Sequence, residues 1–573
     1  MKALLAFVVV TGSLGCRPSR VKPAPEALQT TAERTHYQRT GRYAEAIELC
    51  HSFARAYDGV RCSELGTTTE GRPIIALVIA RRPGLPVIYL QAGIHAGEIE
   101  GKDAGFAFLR DLLDDKVAPG ALDHVSVVFV PVMNPDGHER FSPNSRPNQR
   151  GPEEMGFRTN GLRLNLNRDF VKADAPETQA VLGLVNTYDP VVLVDLHTTD
   201  GAKFEHDLSI NVMPIAPRAD RLDELAGELS NKVVARLAAL GHLPVDFYPS
   251  FVDDERPHSG FTRGEAPPRF SHSYMPARGR LGILVETHSW RTYRERAEST
   301  YHTLQALFEE ATHSAATWRT TVDEADRADR ALAGAEVTLM WKVGTEARDI
   351  DFRGYAYERR ISELTGGTWL VYDETRPEIW RVPLYDHLEP ATTVRAPAHG
   401  YVVEGGFAAL VAPILERHGI VYERLANAPR ELEVFRVTGV QFQPPYEART
   451  RAAVTGAWTA ETRTPDAGAL FVPIAQPKAR LLLHLFEPAL PDSLAQWGLF
   501  NAVFEEKEYI EPYVMEEAAR QMLAARPGLR AEYEAALAAD PQLAESPAAK
   551  LDWFYRRHPA WDDRTRLIPI YRY

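Results

Sequence analysis

Short apolar runs alternate with amphipathic stretches over roughly the first 320 residues of the chain. Runs rich in Val, Ile and Leu are typical of buried strands, and they fall at residues 73–80, 86–95, 125–133, 190–197, 209–215 and 280–286. Helical periodicity covers residues 98–113, 176–188, 220–240 and 291–318. Nearly continuous apolar strands separated by helices are typical of sheets that are covered on both faces. The pattern therefore predicts an α/β domain with a mostly parallel or mixed twisted sheet and helices on both faces.

Polar side chains end three of these predicted strands. His95 ends the run at 86–95, His197 ends the run at 190–197, and Glu286 ends a third run. In open α/β sheets the functional site forms beyond the carboxyl ends of the strands. We therefore expect the three side chains to meet in one crevice, the alternative for any one strand being a polar residue that marks its exit from the core.

Glu98 follows His95 by three residues, at the start of a predicted helix. Side chains at this spacing point to the same side of a helical turn and can reach one metal ion. Two imidazoles and one carboxylate, from His95, His197 and Glu98, make a three-ligand site for one zinc ion (Zn²⁺) per chain, with a fourth position open for water. A carboxylate outside the ligand set takes the proton of such a water, and Glu286 is the candidate for this base.

This ordered set of motifs resembles the zinc carboxypeptidases of the carboxypeptidase A and B superfamily. The residues that carry the resemblance are His-Ala-Gly-Glu at 95–98, Asn-Arg at 167–168, His197 and Glu286, and it spans about residues 43–301. The resemblance implies a carboxypeptidase-like fold. It also implies a zinc-dependent enzyme that hydrolyses the C-terminal peptide bond of a peptide with a free C-terminal carboxylate.

The same resemblance implies roles for further side chains. Asn167 and Arg168 would hold the terminal carboxylate of the substrate, a task that suits a planar, bidentate guanidinium. A second arginine, before this pair, would act in catalysis by stabilising the oxyanion. Arg150, Arg158 and Arg163 all precede the pair, and we favour Arg158.

Three features depart from the family pattern. Asn165 stands where the family has an aspartate partner for the first zinc histidine, and a neutral amide should leave that imidazole less basic. Tyr274 is the candidate for the mobile substrate-binding tyrosine of the family, although it precedes Glu286 by a shorter interval; a packed or surface tyrosine is the alternative. Residues 195–198 resemble related zinc deacylases, so an amidohydrolase of N-acyl amino acids is a second hypothesis. A non-catalytic binding protein with a degenerate site is a third.

Length and composition limit the remaining possibilities. A chain of 573 residues exceeds what one core usually organises, which predicts at least two domains. The composition, with 45% hydrophobic and 25% charged residues, is that of an ordinary globular protein. The net charge of −13 and the lack of a Lys/Arg cluster argue against nucleic acid or an anionic membrane surface as a partner. The oligomeric state stays open.

The first 16 residues have the pattern of a secretory signal, with Lys2, an apolar run at 3–10 and small residues before Cys16. The segment 13–16 resembles the lipobox of bacterial lipoproteins, which implies lipidation of Cys16 and membrane anchoring. Residues 17–30 are typical of a tether. We expect an exported protein, either periplasmic or membrane-anchored, with plain secretion as the alternative.

Two further predictions concern the rest of the chain. Cys50 and Cys62 are either a disulfide or two buried thiols, because an exported chain enters an oxidising compartment. After a catalytic domain at 31–320, residues 335–573 are predicted to form an α+β domain of unknown role, which packs against the first domain or narrows its entrance. Its strand-like runs are 336–343, 368–372, 401–404, 431–442, 469–473 and 480–485, with helices at 407–418 and within 493–537.

Overall fold

The structure is a computed structural model that describes residues 25–199 and 202–573. The predicted signal peptide, Cys16 and most of the predicted tether therefore lie outside the described residues. Within the described ranges, no helix is both long enough and apolar enough to cross a membrane.

Among the described residues, eight α-helices and ten strands precede residue 331. The helices are α1 (Thr31–Arg34), α2 (Tyr43–Ala56), α3 (Glu100–Leu113), α4 (Pro135–Glu139), α5 (Pro176–Tyr188), α6 (Leu222–Ala239), α7 (Ser271–Ala277) and α8 (Tyr293–Arg330). The strands are β1 (Val60–Thr67), β2 (Pro73–Ile79), β3 (Val87–Ala92), β4 (Ser126–Val130), β5 (Val192–Thr198), β6 (Leu208–Met213), β7 (Pro244–Val245), β8 (Ser250–Phe251), β9 (Phe261–Thr262) and β10 (Leu281–Thr287).

The central sheet has eight strands in the order β1-β2-β4-β3-β5-β10-β6-β7. The four strands β4, β3, β5 and β10 run parallel to one another. Strands β1 and β2 pair antiparallel with their neighbours, β6 pairs antiparallel with β10, and β7 runs parallel to β6. The predicted α/β class with a mixed sheet is confirmed. Because β3, β5 and β10 are adjacent and parallel, their carboxyl ends meet at one edge of the sheet.

Both faces of the sheet are buried, as the continuous apolar runs predict. Alternate residues of each strand point to opposite faces, so Leu90 and Val194 pack in one core with α2, α3, α6 and α8. Tyr89 and Leu193 point the other way, into a core that contains α5 and α7 and continues into the C-terminal part of the chain. The C-terminal part thus shares a core with one face of the sheet.

The C-terminal part contains ten strands and six helices among the described residues. The strands are β11 (Glu336–Val343), β12 (Arg348–Ile361), β13 (Thr368–Tyr385), β14 (Leu388–Arg395), β15 (Gly400–Val403), β16 (Glu423–Arg424), β17 (Arg430–Phe442), β18 (Ala452–Arg463), β19 (Leu470–Pro473) and β20 (Leu567–Arg572). The helices are α9 (Ala408–His418), α10 (Ala479–Phe486), α11 (Pro512–Ala525), α12 (Pro527–Ala539), α13 (Pro541–Glu545) and α14 (Pro547–Tyr555). The largest sheet here has six strands in the order β16-β19-β15-β20-β17-β18.

One helix and one sheet extend across the predicted boundary between the two parts of the chain. Helix α8 begins with a capping box between Thr292 and Glu295 and continues to Arg330. It passes both the predicted helix end at residue 318 and the predicted domain end at residue 320. Strands β8 and β9 join β12 and β13 in one four-stranded sheet, so the C-terminal part extends a sheet that the first part begins.

Two local predictions are resolved by the structure. The apolar run at 480–485 lies in helix α10, not in a strand, because a short apolar run does not by itself distinguish a buried helix from a buried strand. Cys50 and Cys62 form a disulfide that joins α2 to β1.

Candidate functional site

Three buried side chains converge at the carboxyl edge of the sheet. His95 lies in the turn after β3, Glu98 follows it just before α3, and His197 lies near the end of β5. One ligand atom from each falls within 4.8 Å of the other two. The Nδ1 atoms of His95 and His197 lie 3.0 and 2.8 Å from the two carboxylate oxygens of Glu98.

The other nitrogen of each imidazole faces an acceptor. Nε2 of His95 lies 3.0 Å from the amide oxygen of Asn165, and Nε2 of His197 lies 2.8 Å from a carboxylate oxygen of Asp195. Partners of this kind fix the ring orientation and direct the opposite nitrogen toward a metal. Asp195 is two residues before His197 on β5, so both side chains project from the same face of the strand.

The electrostatics differ between the two histidines. Burial lowers the pKa of His95 to about 4, although Glu98 opposes the shift, so this imidazole is neutral near pH 7. Burial also lowers the pKa of His197, but the Asp195 and Glu98 carboxylates raise it well above the usual value. Burial raises the pKa of Glu98, and the surrounding His95, Arg146 and His197 outweigh this effect and hold the pKa well below its usual range. Glu98 is therefore an anion in a buried site.

The donor set fits a zinc ion. Tetrahedral zinc with ligands at about 2.0–2.1 Å separates its ligand atoms by roughly 3.4 Å, close to the 2.8 and 3.0 Å that separate the imidazole nitrogens from Glu98. Two imidazoles and one carboxylate are a ligand set of catalytic zinc sites. A divalent cation would also stabilise this site, because Glu98 is a buried anion and both imidazoles lie against it.

Glu286 lies on the strand next to His197. The parallel register pairs Glu286 of β10 with His197 of β5, and Glu286 is buried, with 8% of its surface exposed. Its strand neighbour Val285 packs in the opposite core, which places the Glu286 side chain on the face that carries His197. Glu286 is not among the three grouped ligand residues, so the described geometry leaves it beside the cluster.

Two arginines approach Glu98 from the segment after α4. Arg146, which the sequence reasoning missed, lies 2.8 Å from a Glu98 oxygen and is buried. Arg158 lies 3.8 Å from the same oxygen, with about a third of its side chain exposed (34%). Arg150 instead pairs with Glu374 of the β12–β13 sheet at 2.6 Å, and Arg163 is exposed. Of the three arginines considered from the sequence, Arg158 is the one that the described contacts place at the cluster.

Asn167 and Arg168 lie in the short segment that follows Asn165. The Asn167 amide oxygen accepts a hydrogen bond from the backbone of Ser271 at 3.0 Å, so the side chain is buried and fixed. The Arg168 guanidinium lies 4.0 Å from the centre of the Phe270 ring and donates to the Asn167 carbonyl at 2.7 Å. Asn165 therefore ties this pair to His95, because its amide oxygen also accepts a hydrogen bond from the backbone of Asn167 at 3.0 Å.

The structure argues against a substrate-binding role for Tyr274. Its side chain is fully buried, and its hydroxyl lies 2.7 Å from Nδ1 of His418, on helix α9. Arg278 also donates to the Tyr274 hydroxyl at 3.2 Å. Tyr274 is a core residue that joins the two parts of the chain, because helix α7 packs its ring inward. The alternative of a packed tyrosine is therefore the one that the structure shows.

The central parallel strands bring an imidazole and carboxylate cluster to their carboxyl edge, and these side chains could hold a metal ion. Residues 47–238 match the family model described as zinc carboxypeptidase. The matched region contains His95, Glu98 and His197, whereas Glu286 lies beyond it.

The chain is also similar to two carboxypeptidases in sequence and to solved structures. Carboxypeptidase E of Caenorhabditis elegans is 27% identical over 193 residues, which cover 31% of this chain and 36% of the relative. Carboxypeptidase D of Homo sapiens is 32% identical over 151 residues, which cover 24% of this chain and 10% of the relative. The chain thus spans about a third or less of these relatives. A metallo-carboxypeptidase structure from Burkholderia cenocepacia shares 17% identity with a TM-score of 0.35, over 46% of this chain and 67% of the other.

Proposed function

We propose that this chain is a zinc-dependent metallocarboxypeptidase that hydrolyses the C-terminal peptide bond of a peptide with a free carboxylate. One observation supports the proposal: His95, Glu98 and His197 form a buried cluster, Glu286 pairs with His197 across adjacent strands, and Asn165 contacts both His95 and Asn167. The family match supports the same activity.

His95, Glu98 and His197 would hold the zinc ion. Zinc bound there supplies a Lewis acid that makes water a stronger acid and polarises a carbonyl group. The residue set leaves Glu286 as the carboxylate outside the ligands, and it would accept the proton of the attacking water and then pass it to the leaving amine. The protons balance because both protons of the water end on the leaving nitrogen. Glu286 passes on the first, and the new carboxyl group loses the second, so the products are a carboxylate and a protonated amine.

The remaining residues would hold the substrate. Arg168, with Asn167, would bind the terminal carboxylate through charge-assisted hydrogen bonds. Arg158 lies 3.8 Å from a Glu98 oxygen and is partly exposed. It would stabilise the negative charge that develops on the scissile carbonyl oxygen. Fixed donors in a water-poor site stabilise such charge more than solvent does.

The test compares two classes of substrate for the purified protein. Blocked tripeptides with a free carboxylate should be hydrolysed, the same peptides with a C-terminal amide should be poor substrates, and a chelator should abolish turnover until zinc is restored. Faster turnover of N-acyl amino acids than of tripeptides would instead favour the amidohydrolase hypothesis. Zinc binding without hydrolysis of any amide would favour a binding protein.

We also propose that the protein is exported and anchored through a lipid on Cys16. The signal-like sequence supports this, and the Cys50–Cys62 disulfide fits an oxidising compartment. In a bacterial host, the wild-type protein should fractionate with membranes and a Cys16→Ala variant should not. A soluble wild-type protein would contradict anchoring.

A further inference from the structure

A cavity of about 590 Å³ lies where the first part of the chain meets the antiparallel hairpin of β12 and β13. Its volume is within the range of about 300–1,000 Å³ that is typical of small-molecule sites. Much of its lining is aromatic or aliphatic, and these residues are Phe204, Tyr248, Phe251, Leu370 and Tyr372. All of them except Phe204 lie beyond residue 238, where the family match ends. The matched region alone therefore does not form this cavity.

One end of the cavity borders the strands that carry His197 and Glu286. Thr199, which lines the cavity, follows His197 by two residues. Its hydroxyl lies 3.3 Å from Nδ1 of His288, which follows Glu286 by two residues. The Phe204 ring stacks on the His288 ring at 4.0 Å, with an interplanar angle of 9°. Two residues of chain span at most roughly 7 Å, so one large side chain can reach from the cluster into the cavity.

The cavity does not border the residues that would hold the terminal carboxylate. Among the described residues, its lining includes neither Asn167 nor Arg168, nor the Phe270 ring that packs against Arg168. The side chain and the carboxylate of a terminal residue share one Cα atom, so a pocket for that side chain should border the group that binds the carboxylate. A cavity that borders Thr199 but not Arg168 suits the preceding residue, whose carbonyl group is attacked.

The rings in the lining are held by their surroundings. Phe204 belongs to a buried hydrophobic cluster that is rich in aromatic residues, and Phe251 and Tyr372 pack against this cluster. The Tyr372 hydroxyl oxygen is buried and has no hydrogen-bond partner within residues 25–199 and 202–573, and water or a ligand usually satisfies such an atom. Burial raises the pKa of Tyr372, so its hydroxyl stays neutral near pH 7.

The charge of the lining favours an uncharged occupant over an acidic one. Asp254 is the one charged residue among the described lining residues, and it is exposed. Its carboxylate would repel an acidic side chain. Aromatic side chains bury a large apolar area and pack edge-to-face or offset against other rings. The lining therefore fits a large, uncharged side chain, and an aromatic one best.

Resting on the proposed function, we propose that this cavity is the subsite for the penultimate residue of the peptide and that it selects a large aromatic side chain there. The hairpin of β12 and β13 thereby contributes to specificity through Leu370 and Tyr372. The substrate class is a peptide with a free C-terminal carboxylate and an aromatic residue immediately before its C-terminal residue.

The first test compares blocked tripeptides that differ only in the penultimate residue, which is phenylalanine, glycine or glutamate. Wild-type kcat/KM should be about 10–100-fold higher for the phenylalanine peptide than for the glycine peptide, the effect of burying one large apolar side chain. The glutamate peptide should be the poorest substrate. Equal values for the phenylalanine and glycine peptides, or a preference for glutamate, would overturn the proposal.

Tryptophan substitutions on β13 assign this preference to the cavity. Leu370→Trp fills the cavity and should bring the phenylalanine-to-glycine ratio of kcat/KM close to one. Val371→Trp is the matched control, because alternate residues of a strand point to opposite faces, and it should keep the wild-type ratio. If Leu370→Trp does not fold, Leu370→Ala decides, since it removes apolar lining and should lower the ratio about three- to tenfold. A wild-type ratio in the Leu370 variants would overturn the proposal.

Calorimetry separates this inference from the proposed function. Glu286→Gln should bind the phenylalanine peptide about 10–100-fold more tightly than the glycine peptide, and adding Leu370→Trp should remove the difference. If the wild type hydrolyses none of the tripeptides, the proposed function fails, and the difference in binding still decides the role of the cavity. If the wild type hydrolyses the phenylalanine and glycine peptides equally well, the function stands and this inference falls.

Discussion

The amide oxygen of Asn165 lies 3.0 Å from Nε2 of His95, while Nδ1 of the same ring lies 3.0 Å from Glu98. Both ring nitrogens therefore face an oxygen acceptor. If Nδ1 binds a zinc ion, the proton of the neutral imidazole lies on Nε2 and is donated to Asn165, which then orients a predicted zinc ligand.

Removing that amide should weaken zinc binding. Asn165→Ala is expected to raise the zinc dissociation constant about 10–100-fold, the usual effect of losing a partner of a ligand histidine. Competition with a chromophoric chelator measures this directly. Asn165→Asp keeps the acceptor and adds charge, so it should bind zinc at least as tightly as the wild type. Equal zinc affinity in the wild type and Asn165→Ala would show that the contact does not position His95.

Glu286→Gln should separate chemistry from binding. The amide keeps the shape of the side chain but cannot accept the proton, so kcat should fall about 10²–10⁴-fold. Zinc content and the affinity for a free-acid tripeptide should stay near wild-type values, because Glu286 is not among the ligand residues. If Glu286→Gln loses both turnover and bound zinc, Glu286 is instead a zinc ligand or a structural residue.

Arg158 and Arg163 make a matched pair for the oxyanion role. Arg158→Ala should lower kcat about 10²–10³-fold, as expected when one donor to a developing oxyanion is lost. The exposed Arg163 should tolerate the same substitution with unchanged kinetics. If Arg146→Ala lowers kcat while Arg158→Ala does not, the role belongs to the buried arginine beside Glu98.

A buried histidine outside the cluster should make stability depend on pH. Burial lowers the pKa of His418 to about 3, with help from Arg278, although its bond to the Val171 carbonyl opposes the shift. Since the unfolded chain has a histidine pKa of about 6.5, the unfolded state binds the extra proton between these values. The contribution of neutral His418 is therefore fully present above pH 6.5 and is lost as the pH falls toward 3.

The expected loss from His418 at pH 5 is about 2 kcal/mol in the free energy of unfolding. Urea unfolding at pH 7 and pH 5 measures it. His418→Gln can accept from the Tyr274 hydroxyl and donate to the Val171 carbonyl without titrating. Its free energy of unfolding should therefore fall by about 2 kcal/mol less than that of the wild type between pH 7 and pH 5. The exposed His124→Gln should behave as the wild type does. An equal pH dependence in His418→Gln would show that His418 does not titrate as its burial implies.

The sequence carried enough information to predict the central sheet. Continuous Val, Ile and Leu runs predicted β3, β5 and β10. Because sites form at the carboxyl ends of parallel strands, the same runs predicted that His95 and His197 lie close together. Strand β1 was missed, because its half-exposed residues do not form a continuous apolar run.

The rest of the site depended on contacts between distant segments. Asp195 had a readable signal, since it alternates with His197 on one strand. Arg146 had none, because loop length decides which arginine approaches Glu98. Tyr274 failed as a substrate-binding candidate because spacing from a motif does not report burial.

The most direct test measures the zinc bound to the purified protein and to His197→Ala, with His124→Ala as an exposed control. The wild type and the control should each retain about one zinc per chain after dialysis, as a three-ligand site implies. His197→Ala should retain far less and lose peptidase activity. Equal zinc in His197→Ala and the wild type would exclude His197 from the metal site and contradict the proposed hydrolase.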